Sequence, residues 1–117
     1  MKSYLQIGTL ILLLVSSIQT FASNFSFFGN SAISFYTNED WKLSKSAQLK
    51  ALDQIKDGVR LAWTNPETGS HGAFIPTHTF HAKGSVCRDM QILHTANRVN
   101  DKAIYRFCKM NNGWKIV

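Results

Sequence analysis

The two cysteines, Cys87 and Cys108, limit most strongly how this chain can fold. If they face each other across antiparallel strands, Asp89 lies opposite Arg106 and the connecting loop is Ala96-Asn97-Arg98-Val99. The same face of this hairpin also contains the pairs Gln91 with Ile104, Leu93 with Lys102, and Thr95 with Asn100.

The opposite face of the hairpin has an apolar middle and polar ends in this register. Its pairs are Arg88 with Phe107, Met90 with Tyr105, Ile92 with Ala103, and His94 with Asp101. A slip of one residue would move these side chains to the wrong face and separate both charge pairs. We therefore predict a disulfide-bridged β-hairpin with a structural ion pair between Asp89 and Arg106.

Residues 1–22 have the features of a secretory signal peptide. Lys2 precedes an apolar run from Ile7 to Val15, and Thr20-Phe21-Ala22 fits the rule for cleavage after Ala22. The alternative is an uncleaved anchor, but a membrane span needs about 20 apolar residues and this run is shorter. Because no cysteine lies near the cleavage site, we expect no lipid anchor. Because the apolar run is removed with the signal peptide, we also expect no transmembrane span in the mature chain.

Charge and cysteine content favour a basic domain in an oxidising compartment. The chain contains 13 Lys and Arg against 7 Asp and Glu, a net charge of +6. We expect a periplasmic protein, peripherally associated with the outer membrane, whose single disulfide closes a loop of roughly 20 residues and adds about 3 kcal/mol of stability. Its scattered basic residues can contact an acidic protein partner, an anionic lipid or a glycan, or they can form a solvated surface with no partner. They form no nucleic-acid motif.

Residues 23–43 are predicted to form an extended arm, because they show neither a helical period nor a clean alternation. The aromatic side chains of this arm either fold back onto the domain or form a docking strip for another protein. These candidate docking residues are Phe25, Phe27, Phe28, Phe35 and Tyr36.

Residues 44–117 are predicted to form an α+β domain. A helix capped by Ser44 or Ser46 comes first and stops at Gly58. The strands that follow are interrupted by a turn at Asn65–Gly69 and by Pro76, which indicates an edge or a bulge. The expected fold is one N-terminal helix packed on an antiparallel β-meander of about five strands. The apolar stripe of the helix is Ala47, Leu49, Ala51, Leu52 and Ile55, and the other strands are Val59–Thr64, His71–Phe80 and Trp114–Val117.

The domain resembles the C-terminal domain of the rickettsial 17 kDa surface antigen family of bacterial envelope proteins. The matching pieces lie between Leu49 and Val117, and they are Trp63, Asn65–Gly69, Gly72, Pro76-Thr77, Gly84, Cys87-Arg88, Cys108 and Gly113–Val117. The resemblance implies an exported envelope protein with a helix and an antiparallel sheet, in a family without established enzymatic activity. This chain departs from the family in having no lipoprotein cysteine and no glycine-rich segment, and Asn97-Arg98 stands where two glycines are common.

Catalytic and metal chemistry find little support in the sequence. A regular strand would place His71 and His78 on opposite faces, and His81 falls in a predicted turn, so no convergent metal site is expected. No nucleophile elbow, HExxH or phosphate-binding loop is present, and we expect no enzymatic activity and no cofactor. His94 and Asp101 are expected to form a polar pair, and Trp63 and Trp114 either pack in the core or stack on a ligand.

Two functions remain. One is a protein–protein interaction subunit of an outer-membrane-associated assembly, such as a secretion-system core complex, which docks through its aromatic arm or its sheet edges. The other is a stand-alone periplasmic binding module for an anionic envelope ligand, either lipopolysaccharide or peptidoglycan.

Signal removal predicts that the mature protein begins at Ser23, because cleavage follows Ala22. Mass spectrometry of protein from envelope fractions measures the first residue directly. Mature material that still begins at Met1 or Lys2 would contradict the prediction.

Overall fold

The computed structural model describes residues 31–117, so the predicted signal peptide and residues 23–30 of the predicted arm lie outside the described residues. Each strand pairs antiparallel with its neighbour in the sequence, in the order β1-β2-β3-β4-β5. The predicted α+β fold with a five-stranded meander is therefore confirmed. The elements are a 3-10 helix (Ala32–Phe35), α1 (Asn38–Gln54), β1 (Leu61–Thr64), β2 (His71–Ala82), β3 (Ser85–Ala96), β4 (Val99–Met110) and β5 (Gly113–Ile116).

Helix α1 begins at Asn38, so the predicted start at Ser44 or Ser46 is wrong. The Thr37 side chain accepts a hydrogen bond from the Asp40 N–H (3.1 Å), and the Asp40 carboxylate accepts one from the Thr37 N–H (2.9 Å). This reciprocal capping box satisfies backbone donors that the first turn cannot pair internally. Residues 38–43, which were expected in the extended arm, are consequently helical.

The C-terminal end of α1 is also earlier than expected. The helix ends at Gln54, and Ile55 is already extended, so Gly58 is not the residue that stops it. Gly58 adopts a φ of +86° and donates its N–H to the Pro76 carbonyl at 2.7 Å, which turns the chain towards β1. Leu49 was expected in the apolar stripe, but its side chain is 52% exposed on the solvent side of the helix.

The register between β3 and β4 matches the sequence prediction at every pair. Cys87 lies opposite Cys108, with 4.0 Å between their Cα atoms, and the two sulfurs are bonded. At the other end of the hairpin Ala96 pairs with Val99, so Asn97 and Arg98 form a two-residue turn, both with positive φ. Such a turn matches the right-handed twist of the flanking strands.

A bulge in β2 confirms the structural effect expected of Pro76. The register of β2 against β3 shifts between Pro76 and His78, so one extra residue is inserted there. Because the insertion changes the alternation of side chains, residues after the bulge reach the opposite face from that expected for a regular strand. Strand β2 also continues to Ala82, which places His81 in the strand and not in the predicted turn.

The core lies between α1 and one face of the sheet. Its centre is Phe74 and Met90, each with no exposed surface, beneath Leu52 of the helix. The other face of the sheet, which we call the outer face, contains the disulfide and the Asp89–Arg106 pair. The remaining buried residues of the core cluster are Ala51, Trp63, Ile92 and Phe107.

Arg88 connects the sheet to the C-terminal end of α1. Its Nη1 donates to the carbonyls of Ala51 (2.9 Å) and Leu52 (2.8 Å), and its Nη2 donates to the Ile55 carbonyl (2.6 Å). Two further bonds join Nη2 to the Asp57 carboxylate (2.9 Å) and Nε to the Thr79 hydroxyl (2.9 Å), so all five guanidinium donors are used. A buried cation thus donates to carbonyls in and just beyond the last turn of α1, where the helix does not provide donors for all of them.

Asp40 connects the sheet to the N-terminal end of α1. Besides capping the helix, its Oδ1 accepts hydrogen bonds from the Asn65 amide and the Thr68 hydroxyl, both at 2.8 Å, in the β1–β2 turn. Burial by itself opposes ionisation, but the bonds from Thr37, Asn65 and Thr68 outweigh it and lower the pKa of Asp40 to about 2.

Replacing Arg88 by Met should destabilise the domain by about 2–4 kcal/mol, because the carbonyls of Leu52 and Ile55 lose their donor and a buried acceptor without a donor costs about 1–3 kcal/mol. Arg88→Lys should rescue only part of this loss, because an ammonium group cannot reach all five acceptors. Urea unfolding measures both, and Arg106→Met, which removes an exposed arginine from the neighbouring strand, is the matched control. Equal losses for Arg88→Met and Arg106→Met would contradict the role given to Arg88.

Asp40→Asn should lower stability at neutral pH by about 1–2 kcal/mol, because it removes an ionised acceptor from the capping box. A carboxyl whose pKa falls from 3.8 to about 2 on folding stabilises the protein above pH 4 and loses that contribution as the pH falls towards 2. Unfolding free energies measured from pH 6 to pH 2 should therefore converge for wild type and Asp40→Asn. Glu39→Gln, an exposed acid in the same turn, should keep the wild-type profile, and parallel curves for Asp40→Asn and wild type would refute the assignment.

Candidate docking surface

The disulfide and the Asp89–Arg106 pair lie side by side on the outer face. Arg106 binds Asp89 through two bonds, from Nε to Oδ1 (2.8 Å) and from Nη2 to Oδ2 (3.3 Å), as the cysteine register predicts. The guanidinium lowers the pKa of the Asp89 carboxyl, and the carboxylate in turn raises the pKa of Arg106. The arginine side chain is 54% exposed, so this pair orients Arg106 more than it stabilises the fold.

A groove opens on the outer face next to this pair, between the β2–β3 turn and the end of β5. Phe80 forms one side, with the Arg106 guanidinium 4.7 Å from the centre of its ring and the His78 ring stacked at 5.3 Å. The groove has a volume of about 470 Å³. It is lined by Phe80, Ala82, Lys83, Ser85, Arg106, Cys108, Met110 and Val117.

The histidines do not occupy the faces expected of them. His71 pairs with Thr95 and His78 pairs with Asp89, and both partners lie on the outer face, so the bulge brings the two histidines to the same side of the sheet. The expectation of opposite faces is therefore wrong. Within residues 31–117 no group of three or more His, Cys, Asp or Glu side chains is arranged to hold a metal ion.

Of the predicted docking aromatics, the structure places two. Phe35 is 40% exposed at the end of the 3-10 helix. Tyr36 packs edge-on against Trp63 (5.4 Å between ring centres) and Trp41 (5.2 Å), so it folds back onto the domain. Phe25, Phe27 and Phe28 lie outside the described residues.

His94 and Asp101 take part in a larger cluster than the predicted pair. The Tyr36 hydroxyl is 3.0 Å from His94 Nδ1, and the Asp101 carboxylate accepts a hydrogen bond from the Ala32 N–H. Burial lowers the pKa of His94, with Asp101 opposing the shift, and burial next to Asp40 and Asp101 raises the pKa of Tyr36 to about 12. Neutral His94 and Tyr36 thus hold residues 32–36 against the β3–β4 hairpin.

The two tryptophans near turns have structural roles. Trp63 is 8% exposed in the core, and a Cβ added to Gly72 would lie 2.6 Å from its Nε1, so only glycine fits beneath the indole. Trp114 is half-buried, and its Nε1 donates to the Asp53 carboxylate on α1 at 2.8 Å. The buried Trp63 ring therefore packs in the core, whereas the Trp114 ring lines a surface pocket together with Leu52 and Lys109.

Sequence reasoning missed three features of the docking surface. It did not identify the groove, although the cysteine register already placed Arg106 and Cys108 on one face of β4. It treated Ile104 only as a partner of Gln91, whereas this side chain is 65% exposed. It did not single out Met110, the last residue of β4, which is 44% exposed.

No helix within residues 31–117 is both long enough and apolar enough to cross a membrane.

Comparison with known proteins finds relatives among the rickettsial surface antigens. The chain is similar to proteins named 17 kDa surface antigen from Rickettsia felis (27% identical over 81 residues) and from Rickettsia conorii and Rickettsia rickettsii (26% identical over 81 residues each). The alignment covers 68% of this chain and 51% of each relative, so the chain spans about half the length of the curated relatives it matches. No family model matches it, and no solved structure is significantly similar. Over these 81 residues the chain resembles the rickettsial 17 kDa surface antigens, and the resemblance predicted from its motifs is confirmed.

Proposed function

We propose that this chain is an exported, non-enzymatic envelope protein that serves as a protein–protein interaction subunit of an outer-membrane-associated assembly, such as a secretion-system core complex. The name surface antigen, given to its relatives, supports an envelope location. The single observation that carries the interaction role is the free edge of β4, which we define as Val99–Tyr105.

The free edge is formed because β5 is much shorter than β4. Strand β5 pairs only with Phe107–Met110, and the Val117 N–H donates to the Arg106 carbonyl at 3.0 Å just beyond it. From Tyr105 back to Val99, β4 has β3 on one side and no strand on the other among the described residues. A stretch of seven residues is about 23 Å long, enough for a partner strand.

The direction of the backbone groups on β4 identifies the available donors and acceptors. The Arg106 carbonyl faces away from β3, and these directions alternate along an antiparallel strand. The N–H and C=O groups of Ile104 and Lys102 consequently also face away from β3. An extended segment of another protein can pair with them by adding a sixth strand to the sheet.

The side chains along the free edge favour a partner segment that is both apolar and acidic. Ile104 is 65% exposed on the outer face, and Tyr105 is 43% exposed on the helix side. Natural edge strands usually avoid such exposed apolar residues, because they promote association. Lys102 lies next to Ile104 on the outer face and would face an acidic residue of an added strand.

The second candidate function, a stand-alone periplasmic binding module for lipopolysaccharide or peptidoglycan, is favoured by Lys83 and Arg106 in the groove. A salt series separates the two functions. Binding of an anionic ligand should weaken steeply as ionic strength rises, whereas strand pairing through backbone groups should change much less.

Ile104→Pro should abolish partner capture from detergent-solubilised envelopes, because proline removes the N–H of residue 104, which faces the partner. The hydrogen bonds between β4 and β3 do not use this N–H and are retained. Ile104→Thr is the matched control, since it shortens the side chain but retains the N–H, and it should retain most of the captured partner. Melting temperatures check that both variants fold. Equal recovery by wild type and Ile104→Pro would refute docking at the free edge.

A further deletion tests the aromatic arm. Removing residues 23–30 takes away Phe25, Phe27 and Phe28 but leaves Tyr36 and the Thr37 cap in place. Loss of the partner in this variant, with full recovery by Ile104→Pro, would move the docking site from the free edge to the arm.

A further inference from the structure

The groove on the outer face combines an apolar surface with two cations. Phe80 and the disulfide at Cys108 are largely covered, while Met110 is 44% and Val117 is 62% exposed. These apolar groups line a concave volume of about 470 Å³, within the range of about 300–1,000 Å³ that is typical of small-molecule sites. Concave apolar surface of this kind is the usual environment for a hydrocarbon group.

The cations of the groove are positioned by the fold. Lys83 lies in the β2–β3 turn with a φ of +50°, and Arg106 is oriented by Asp89 and by the Phe80 ring. Asp89 binds Nε and Nη2 of Arg106, which leaves the two N–H groups of Nη1 with no acceptor among the described residues. Among the residues that the structure describes, no acidic side chain lines the groove.

We infer that this groove binds a single-chain anionic lipid of the envelope, with its alkyl chain along Phe80, Met110 and Val117 and its phosphate group on Arg106 and Lys83. Arginine recognises phosphate oxygens with paired N–H donors, and lysine adds a point charge. The inference does not rest on partner docking, because the free edge of β4 ends at Tyr105 and the groove begins beyond it.

The contacts of β4 favour a lipid over an acidic peptide at this place. Between Phe107 and Met110 the strand is paired with both β3 and β5, so its backbone offers no free edge to a peptide. The groove provides apolar contact and positive charge, and both match a lipid that needs no backbone hydrogen bonds.

The test is a titration of the full chain, purified from envelope fractions, with three probes below their micelle concentrations. Dodecyl phosphate has both the chain and the charge, dodecyl maltoside has the same chain without the charge, and inorganic phosphate has the charge alone. Dodecyl phosphate should bind and shift the Met110 methyl signal in NMR spectra, and the other two probes should bind at least tenfold more weakly. Equal binding of dodecyl maltoside, or tighter binding of a glutamate-rich peptide titrated separately as a fourth probe, would overturn the inference.

Substitutions inside and outside the groove test whether dodecyl phosphate binds there. Met110→Gln removes an apolar contact and Lys83→Asn removes a charge at a turn position that asparagine tolerates, and each should weaken dodecyl phosphate binding by about three- to tenfold. Ile104→Gln and Lys102→Gln are the matched controls, because they lie on the same face of β4 outside the groove. Controls that weaken binding as much as the groove variants would refute the site.

The lipid site and the partner-docking edge can be tested separately. Ile104→Pro should lose the captured partner and still bind dodecyl phosphate, whereas Met110→Gln should do the reverse. If Met110→Gln also loses the partner, the groove belongs to the protein-docking surface and the lipid site is wrong.

Discussion

The alignment of β3 with β4, held by the disulfide between Cys87 and Cys108, is the constraint on which the other contacts depend. It brings Arg88 and Met90 of β3 to the helix, and it leaves Asp89 on the outer face. A shift of one residue would bury the carboxylate and expose the core, so both faces of the sheet require the same register. The disulfide adds stability at the end of the hairpin where the groove opens.

Two buried charges then hold α1 on this sheet, one at each end. Asp40 accepts hydrogen bonds from the helix start and from the β1–β2 turn, and Arg88 donates to the last carbonyls of the helix. The two charges also complement the helix dipole, which is positive at its N-terminal end and negative at its C-terminal end. Hydrophobic packing holds α1 against the sheet, and the two charges determine the position of α1 along the sheet.

The uneven strand lengths determine which surfaces remain for function. Because β5 covers only the last residues of β4, the rest of that strand has no second neighbour within residues 31–117, while the covered part contributes to the groove. Because α1 occupies one face of the sheet, the proposed partner and ligand sites lie on the outer face and on the edge. This division gives two neighbouring surfaces with different chemistry on a chain of 117 residues.

The alternation of residues between Cys87 and Cys108, the turn residues at Asn65–Gly69 and the single proline of the strands were enough to predict the hairpin register, the meander and the irregularity at Pro76. These features are local or are linked by a covalent bond, so the sequence alone determines them. The start of α1 was missed because Ser44 and Ser46 are acceptable caps by themselves, although Thr37 and Asp40 form a local capping box. The bonds from Asn65 and Thr68 that further hold Asp40 exist only in the folded structure. The acceptors of Arg88 and the groove were decided by the tertiary structure, because they join residues from separate elements whose distance in space no sequence pattern encodes.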